Sequence, residues 1–278
     1  MTDAMTDAAP TLPTTTTGRL RWAVADAATI ALRALHHWAR QPTQVVAGLL
    51  FPVMLVLLFG YLFGGSMSVP GGGDYREWLM PGMFVMTMAF GIGETMLNVQ
   101  QDAEKGITDR FRSMPLARSA VVVGRSLADM LYSAMGLAVM LACGLAVGWR
   151  WHGGAGAAAA AVGLLLLLRF SVLWVGIYLG LVIRTAGAVA AVQTLLFPLT
   201  MVTNTFAAPD TMPAWLGAVA AWNPLSATVS ATRELFGNPG VGADWVSGHA
   251  VALAVAWPLA IVALFLPLAV RRYRRLER

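Results

Sequence analysis

Residues 156–183 decide the fold class, and they read GAAAAAVGLLLLLRFSVLWVGIYLGLVI. The stretch carries one charge, at Arg169. About 20 apolar residues are enough for a helix to cross the hydrocarbon core of a bilayer. The stretch therefore predicts a membrane-spanning helix.

The composition of the whole chain also indicates a membrane protein. Of its 278 residues 58% are hydrophobic and 12% are charged, whereas a soluble domain averages about 45–50% and about 25%. The apolar pattern predicts an all-α membrane protein with six spans, joined by loops too short for a separate soluble domain. The predicted spans are residues 45–63, 78–99, 120–147, 156–183, 186–206 and 246–270.

The residues before the first span divide into two parts. Residues 1–18 lack the basic start and the apolar core of a signal peptide, so we expect a disordered cytoplasmic tail. Residues 19–40 predict an amphipathic helix in the membrane interface, an elbow before the first span. Its charged side carries Arg19, Asp26, Arg33 and Arg40 at intervals of seven residues.

The basic residues predict the orientation of the chain, whose net charge is +5. With the N-terminus inside, fourteen of the nineteen Lys and Arg residues are cytoplasmic, three are outside and two lie within spans. Because cytoplasmic loops hold the excess of basic residues, we expect both termini in the cytoplasm. The closing run from Arg271 to Arg275 indicates a lipid headgroup anchor, with nucleic-acid binding as the alternative.

The first cytoplasmic loop predicts a short helix over residues 106–115. Gly106 can end the incoming span and Pro115 cannot continue a helix. Between them Ile107, Phe111 and Met114 recur at helical spacing. This apolar edge suits docking into a groove on a cytoplasmic partner, and the alternative is that it lies on the bilayer surface. Its charged neighbours are Asp109, Arg110 and Arg112.

Two further short helices are predicted between the fifth and sixth spans. Thr211 is a candidate N-cap of the first helix, before Pro213, and Asn223 is a candidate N-cap of the second helix, before Pro224. Gly237 is a candidate residue for ending the second helix. The pair is apolar enough to form a re-entrant hairpin in the outer leaflet. The alternative is a surface hairpin anchored by tryptophans. These tryptophans are Trp215 and Trp222.

Ionisable residues inside the spans are functional candidates, because a central arginine costs about 2.5–3.5 kcal/mol on the insertion scale. Asp129 lies nearer to the depth of Arg169 than Glu94 does. Asp129 also follows Arg125 by four residues, so these two can pair instead and leave Arg169 to water or carbonyls. The charges form either a structural network or part of a substrate pathway. Polar residues of the fifth span that can join them are Gln193, Thr203 and Asn204.

Small residues in the spans suggest close helix packing. Gly176 and Gly180 form a G-x-x-x-G pair in the fourth span, which makes them a candidate contact between two copies. The single cysteine, Cys143, lies in an apolar run and excludes an intramolecular disulfide.

Several short motifs occur in an order and spacing shared with a known family. The first group is Glu104-Lys105-Gly106, Arg110-Phe111-Arg112, Met114-Pro115-Leu116, Gly124-Arg125 and Ala128-Asp129. The second group is Asp210-Thr211-Met212-Pro213-Ala214-Trp215-Leu216, Asn223-Pro224-Leu225 and Arg233-Glu234-Leu235-Phe236-Gly237. From Arg19 onwards the chain resembles the ABC-2 type transporter permeases, and most closely their daunorubicin-resistance-like exporters.

The resemblance implies the plasma-membrane permease subunit of an ATP-driven exporter for a hydrophobic, drug-like or lipid-like compound. It implies a dimer with a second copy or a paralogue, and two cytoplasmic ABC ATPases that bind ATP-Mg. The chain lacks a G-x-x-x-x-G-K-[ST] motif, so we expect no ATP hydrolysis and no cofactor of its own. The ATPases would contact the elbow helix and Glu104, Gly106, Ile107, Asp109, Arg110, Phe111, Arg112, Met114 and Pro115.

Two other classes of function are alternatives. A membrane-embedded enzyme acting on lipid-linked substrates needs acid, base or metal groups clustered at one membrane depth. The four histidines do not favour it, since the predicted topology scatters them over both sides. A membrane scaffold would show no nucleotide-dependent effect of altering Glu104 or Arg110.

Overall fold

The computed structural model describes residues 32, 42–62, 69, 72–104, 118–183, 185–240 and 245–276. Within these ranges the chain is helical and forms no strand. The predicted tail 1–18, the elbow helix 19–40 apart from Leu32, and the predicted helix 106–115 lie outside the described residues.

We number the described helices in chain order. They are α1 Pro42–Leu57, continued by a π-helical segment Leu58–Leu62, α2 Tyr75–Glu104, α3 Arg118–Ala146, α4 Ala155–Val182, α5 Ala186–Met201, α6 Ala214–Trp222, α7 Pro224–Phe236, α8 Trp245–Gly248 and α9 Ala250–Leu276. A 3-10 turn, Pro209–Thr211, precedes α6.

Four of these helices contain a stretch long and apolar enough to cross a membrane. The stretches are Tyr75–Glu104, Gly124–Ala146, Ala155–Val182 and Ala250–Tyr273. Two predicted spans correspond to shorter apolar helices, Leu50–Leu62 and Ala186–Met201.

Two predicted spans extend four or more residues beyond the helices that contain them. α5 ends at Met201 rather than at residue 206, because Pro198 in its last turn lacks an N–H and the following threonines form a buried turn. The last long helix begins at Ala250 rather than at residue 246, because Trp245–Gly248 forms a separate turn of helix.

α2 lies at the centre of the molecule. It packs most extensively against α4, and it also contacts α1, α3, α5 and α7. Its buried face is rich in large apolar side chains such as Trp78, Met83 and Phe84, which are at most 1% exposed. α9 packs against α4 and α7, while most of its long apolar stretch stays on the outside of the chain, as a lipid-facing helix does.

The glycine pair of the fourth predicted span fits α4 against α2. A Cβ atom on Gly176 would lie 2.9 Å from the carbonyl oxygen of Ile92, and one on Gly180 would lie 2.7 Å from that of Met96. The suggestion that this pair contacts a second copy is therefore wrong, since α2 of the same chain covers both glycines.

Candidate functional site

A cluster of polar side chains joins α2, α3 and α4 inside the helix bundle. Arg169 of α4 is 1% exposed and its Nη2 lies 2.9 Å from Oδ2 of Asp129 in α3. The same nitrogen donates to Oγ1 of Thr95 in α2 at 2.9 Å, and Nε donates to Oγ of Ser133 at 2.6 Å. Thr95 in turn donates to Asp129 at 2.7 Å. A buried arginine is thus paired with an acid and two hydroxyls, which lowers the cost of its burial.

The cluster depends on the absence of a side chain at Gly91. A Cβ atom there would lie 2.5 Å from Cζ of Arg169, so the guanidinium packs directly on the backbone of α2. Neither Gly91 nor the hydroxyls of Thr95 and Ser133 were among the predicted site residues. Sequence offers little signal for them, because single glycines and threonines are common in membrane helices.

Arg125 has a different partner from the one that its spacing suggests. Its guanidinium forms an ion pair with Asp102, which lies near the end of α2. Asp129 pairs with Arg169 instead. The predicted pairing of Arg125 with Asp129 is therefore not the one that the structure forms. α2 and α4 both pack against α3, so Arg125 and Asp129 each have a partner on another helix.

Glu94 and Gln193 line a cleft between α1, α2 and α5. The cleft has a volume of about 230 Å³ and is lined mainly by apolar side chains. Nε2 of Gln193 donates to the carbonyl oxygen of Gly93 at 3.1 Å, which ties α5 to α2 at the cleft. Three phenylalanines form the aromatic part of the wall, namely Phe51, Phe90 and Phe197.

Asn204, the remaining candidate of the fifth predicted span, belongs to the turn after α5. Its Nδ2 donates to Oγ of Ser230 in α7 at 2.8 Å, and its backbone N–H donates to Oγ of Ser226 at 3.1 Å. The predicted polar residues are therefore not one cluster. Of the six, only Asp129 and Arg169 form a direct contact with each other. Arg125 pairs with Asp102, Glu94 and Gln193 line the cleft, and Asn204 contacts α7.

The predicted pair of short helices is present as α6 and α7. The side chain of Asn223 accepts from the backbone N–H of Leu225 at 2.9 Å, with Pro224 at the first helical position. Gly237 closes α7 in the left-handed conformation, with φ of 71°. Both of these capping predictions are confirmed.

The cap predicted at Thr211 is wrong. Thr211 lies in the 3-10 turn, where its hydroxyl donates to the carbonyl oxygen of Ala208 at 2.7 Å, and Pro213 occupies the cap position of α6. Trp215 on α6 is 71% exposed.

Arg233 holds the helix pair to the core and was not predicted as a site residue. It is fully buried, and Nε donates to the carbonyl oxygen of Trp78 at 3.0 Å while Nη2 donates to that of Asn204 at 2.9 Å. Its Cζ lies 3.6 Å from the centre of the Trp78 ring. Burial lowers the pKa of Arg233 to about 9, so the guanidinium is charged at neutral pH.

The described residues contain no cluster of His, Cys, Asp and Glu that could hold a metal ion. Of the residues assigned to ATPase contact, Glu104 is exposed at the end of α2. The others, Gly106, Ile107, Asp109, Arg110, Phe111, Arg112, Met114 and Pro115, lie outside the described residues.

The long apolar helices and the polar groups buried between them define a multi-pass, all-helical membrane protein. Comparison with known proteins places it more closely, since the ABC-2 type transporter family matches residues 27–236. The chain therefore belongs to the ABC-2 type transporter family.

Two relatives illustrate the similarity. One is a daunorubicin resistance ABC transporter permease protein of Streptomyces coeruleorubidus, 32% identical over 243 residues that cover 87% of this chain and 83% of that protein. The other is named a probable doxorubicin resistance ABC transporter permease protein of Mycobacterium tuberculosis, and it is 21% identical over 248 residues. The latter match covers 82% of this chain and 84% of that protein.

Proposed function

We propose that this chain is the permease subunit of an ATP-driven exporter, which moves a hydrophobic, drug-like or lipid-like compound outward across the plasma membrane. The observation that carries the proposal is the 32% identity over 87% of the chain to a drug resistance permease. The structure supports it with a cleft between helices that is mostly apolar and contains a few polar groups, as ligand sites do.

The proposal includes six spans with both termini in the cytoplasm. α1 and its π-helical continuation contain 16 and 5 residues, which together reach about 30 Å, the thickness of the hydrocarbon core. α5 contains 16 residues and reaches about 24 Å, a mismatch that local thinning of the bilayer can accommodate. Residues 19–278 then form one transmembrane domain.

Energy reaches this domain from partner subunits. The segment 105–117 joins the end of α2 to the start of α3, so an ATPase bound there pushes on both helices at once. The Asp102–Arg125 ion pair ties the same two helices together close to that segment. Two ATPases with ATP-Mg, and a second permease copy or paralogue, complete the assembly.

The test is co-purification of the full chain with a candidate P-loop ABC ATPase from the same organism, followed by ATPase rates in lipid nanodiscs. We expect a stable complex, and we expect its rate of ATP hydrolysis to change when hydrophobic drugs or lipids are added. Charge reversal Arg110→Glu in the segment 105–117 should abolish that response, because it disrupts the docking surface. The matched control is Arg150→Glu, at an exposed position of the loop after α3.

The outcomes separate the classes of function. Loss of complex in Arg110→Glu and its retention in Arg150→Glu support the coupling assignment. A chain that binds no ATPase contradicts the exporter and favours a scaffold or a lipid-modifying enzyme. A complex that responds equally in both variants contradicts the assignment of the segment.

A further inference from the structure

The first turn of α2 is bonded to three other helices. Nε of Arg76 donates to the carbonyl oxygen of Gly60, in the π-helical continuation of α1, at 3.4 Å. Nη1 of the same residue donates to the carbonyl oxygen of Val147, just after α3, at 3.3 Å. The carbonyl oxygen of Trp78 accepts from Nε of Arg233 in α7 at 3.0 Å. The start of α2 therefore cannot move relative to α1, α3 or α7 without breaking hydrogen bonds.

The loop between α3 and α4, residues 147–154, links the end of α7 to the same turn of α2. The backbone N–H groups of His152 and Gly153 both donate to the carbonyl oxygen of Phe236, at 2.7 and 3.1 Å. Nε2 of His152 lies 2.8 Å from Oε1 of Glu77 in α2. We call this contact between Glu77 and His152 the latch, because it joins the loop, and α7 with it, to the start of α2.

The latch contains a group that changes charge near neutral pH. Histidine gains or loses its proton between about pH 5 and 8. The side chain of His152 is 54% exposed, so its proton exchanges with the solvent. Carboxylates, tyrosines and arginines ordinarily keep their charge over this range. The other titratable residues on the described elements that meet here are Asp74, Tyr75 and Arg76 at the start of α2, Arg150 in the loop, and Arg233 and Glu234 in the last turn of α7.

Protonation of His152 changes the strength of the latch. A neutral imidazole makes only a hydrogen bond with the carboxylate of Glu77, whereas an imidazolium also gains the attraction between opposite charges. Acid therefore strengthens the contact, and it weakens as the pH rises and the histidine loses its charge. We propose that the Glu77–His152 latch is a pH-sensitive closure of this end of the helix bundle, held shut by acid and released as the pH rises.

This inference rests on the proposed function and orientation for its biological meaning. With the N-terminus inside, α2 begins on the outer side, where an exported compound leaves. Opening at that side must separate the start of α2 from at least one of the helices bonded to it. Acid outside the cell therefore slows the release step of export.

The test measures opening at this end of the bundle and needs no ATPase. Val147 is 6% exposed and belongs to the hydrophobic core, so a thiol there reacts only when its surroundings open. Val147→Cys is made in the full chain carrying Cys143→Ser, and its rate of labelling by a maleimide is measured in nanodiscs at about pH 5.5 and about pH 8. Each rate is divided by that of Gly154→Cys, an exposed position of the same loop, at the same pH. The division removes the pH dependence of the thiol reaction itself.

We expect the normalised rate to be about threefold lower in acid, since a half-exposed ion pair is weak. His152→Gln keeps a hydrogen-bond donor without a charge, so it should label at the alkaline rate at both pH values. Glu77→Gln removes the carboxylate and should lose most of the pH response. His152→Lys keeps a positive charge throughout and should label at the acidic rate at both pH values.

The matched control is His249→Gln at the start of α9. His249 is exposed, and its Nδ1 lies 2.9 Å from the carbonyl oxygen of Trp245 rather than beside an acid. This variant should keep the parental pH response. A response that disappears in His249→Gln and survives in His152→Gln assigns it to another part of the chain and overturns the latch.

Two further results would overturn the proposal. One is a normalised rate in the parental chain that does not change with pH. The other is a pH response that survives in both His152→Gln and Glu77→Gln, because another group then produces it. These failures leave the exporter untouched, whereas a chain that shows the expected response and binds no ATPase refutes the exporter and retains the latch.

Discussion

The polar side chains around the guanidinium of Arg169 lower the energetic cost of burying its charge inside the membrane. Asp129 neutralises its charge, and the hydroxyls of Thr95 and Ser133 take part in its hydrogen bonds. In a low-dielectric interior a paired and hydrogen-bonded arginine costs far less than an isolated one. The arrangement requires an arginine that lies flat on the backbone at Gly91, and this requirement can be tested at that single position.

Gly91→Ala should destabilise the protein. The new Cβ would lie 2.5 Å from Cζ of Arg169, and the guanidinium cannot move away without losing its bonds to Asp129 and Ser133. Overpacking of this kind costs about 1–3 kcal/mol, which exceeds the gain of about 0.5–1 kcal/mol from placing alanine in a helix. We expect a lower unfolding temperature, measured by tryptophan fluorescence in detergent.

The control for Gly91 is Gly163→Ala in α4. A Cβ there would meet no atom within 4 Å, so only the gain in helix propensity remains. An unfolding temperature that rises in Gly163→Ala and falls in Gly91→Ala supports the packing argument. A rise in both would show that Arg169 does not occupy the space above Gly91.

Among the elements, α2 and α4 approach each other through the small residues of α4. Gly180→Ala would place a Cβ 2.7 Å from the carbonyl oxygen of Met96, a backbone atom that cannot move without displacing the helix. We expect the variant to lose about 1–3 kcal/mol of stability. Gly187→Ala on α5, where no atom lies within 4 Å, is the control and should not lower the unfolding temperature. Equal unfolding temperatures in the two variants would contradict the close approach.

The elements were more predictable than their contacts. Long apolar runs and caps are local features, so the helix in residues 156–183 and the Asn223 and Gly237 caps follow from the sequence. Partner choice is not local: Arg125 has Asp129 within reach on its own helix and pairs with Asp102 on α2. Arg233 is a similar case, because its partners are carbonyl oxygens that every residue carries. The cleft at Glu94 exists only where three helices meet.

Arg233 should control how firmly α6 and α7 are held. Arg233→Met keeps much of the length of the side chain and removes the donors to the carbonyl oxygens of Trp78, Asn204 and Thr205. A buried acceptor left without a partner costs about 1–3 kcal/mol. We expect faster hydrogen exchange across Pro224–Phe236, measured by mass spectrometry.

Arg233→Lys should restore little of that protection. A lysine keeps the charge, but it lacks the planar group that stacks on Trp78 and reaches two sites at once. Exchange in the methionine variant at the parental rate would show that packing alone holds α7 in place.

At the scale of the molecule, α2 connects the polar contacts of the chain from one end to the other. Near its start, Glu77 pairs with His152 and the carbonyl oxygen of Trp78 accepts from Arg233. In the second half of α2, Thr95 contacts Arg169, and near the end of α2, Asp102 contacts Arg125. One continuous helix of 30 residues therefore joins the helix pair α6 and α7 to the segment proposed for ATPase contact.

Whether α5 crosses the membrane, as six spans require, can be decided from the sides on which two positions lie. Between the loop before α4 and the C-terminus, the chain contains α4, α5 and α9. If all three cross the membrane, as six spans require, the two positions lie on opposite sides. If only the four longest helices cross, α5 does not count and the two positions lie on the same side.

Single cysteines at these positions, in a chain with Cys143→Ser, make the distinction measurable. Gly154→Cys has no atom within 4 Å of its Cβ, and Arg275→Cys is exposed. We expect a membrane-impermeant maleimide to label Gly154→Cys in intact cells, and Arg275→Cys only after the cells are opened. Labelling of both, or of neither, before opening would contradict the six-span topology. The reverse pattern would retain α5 as a span and contradict the cytoplasmic C-terminus predicted from the excess of basic residues.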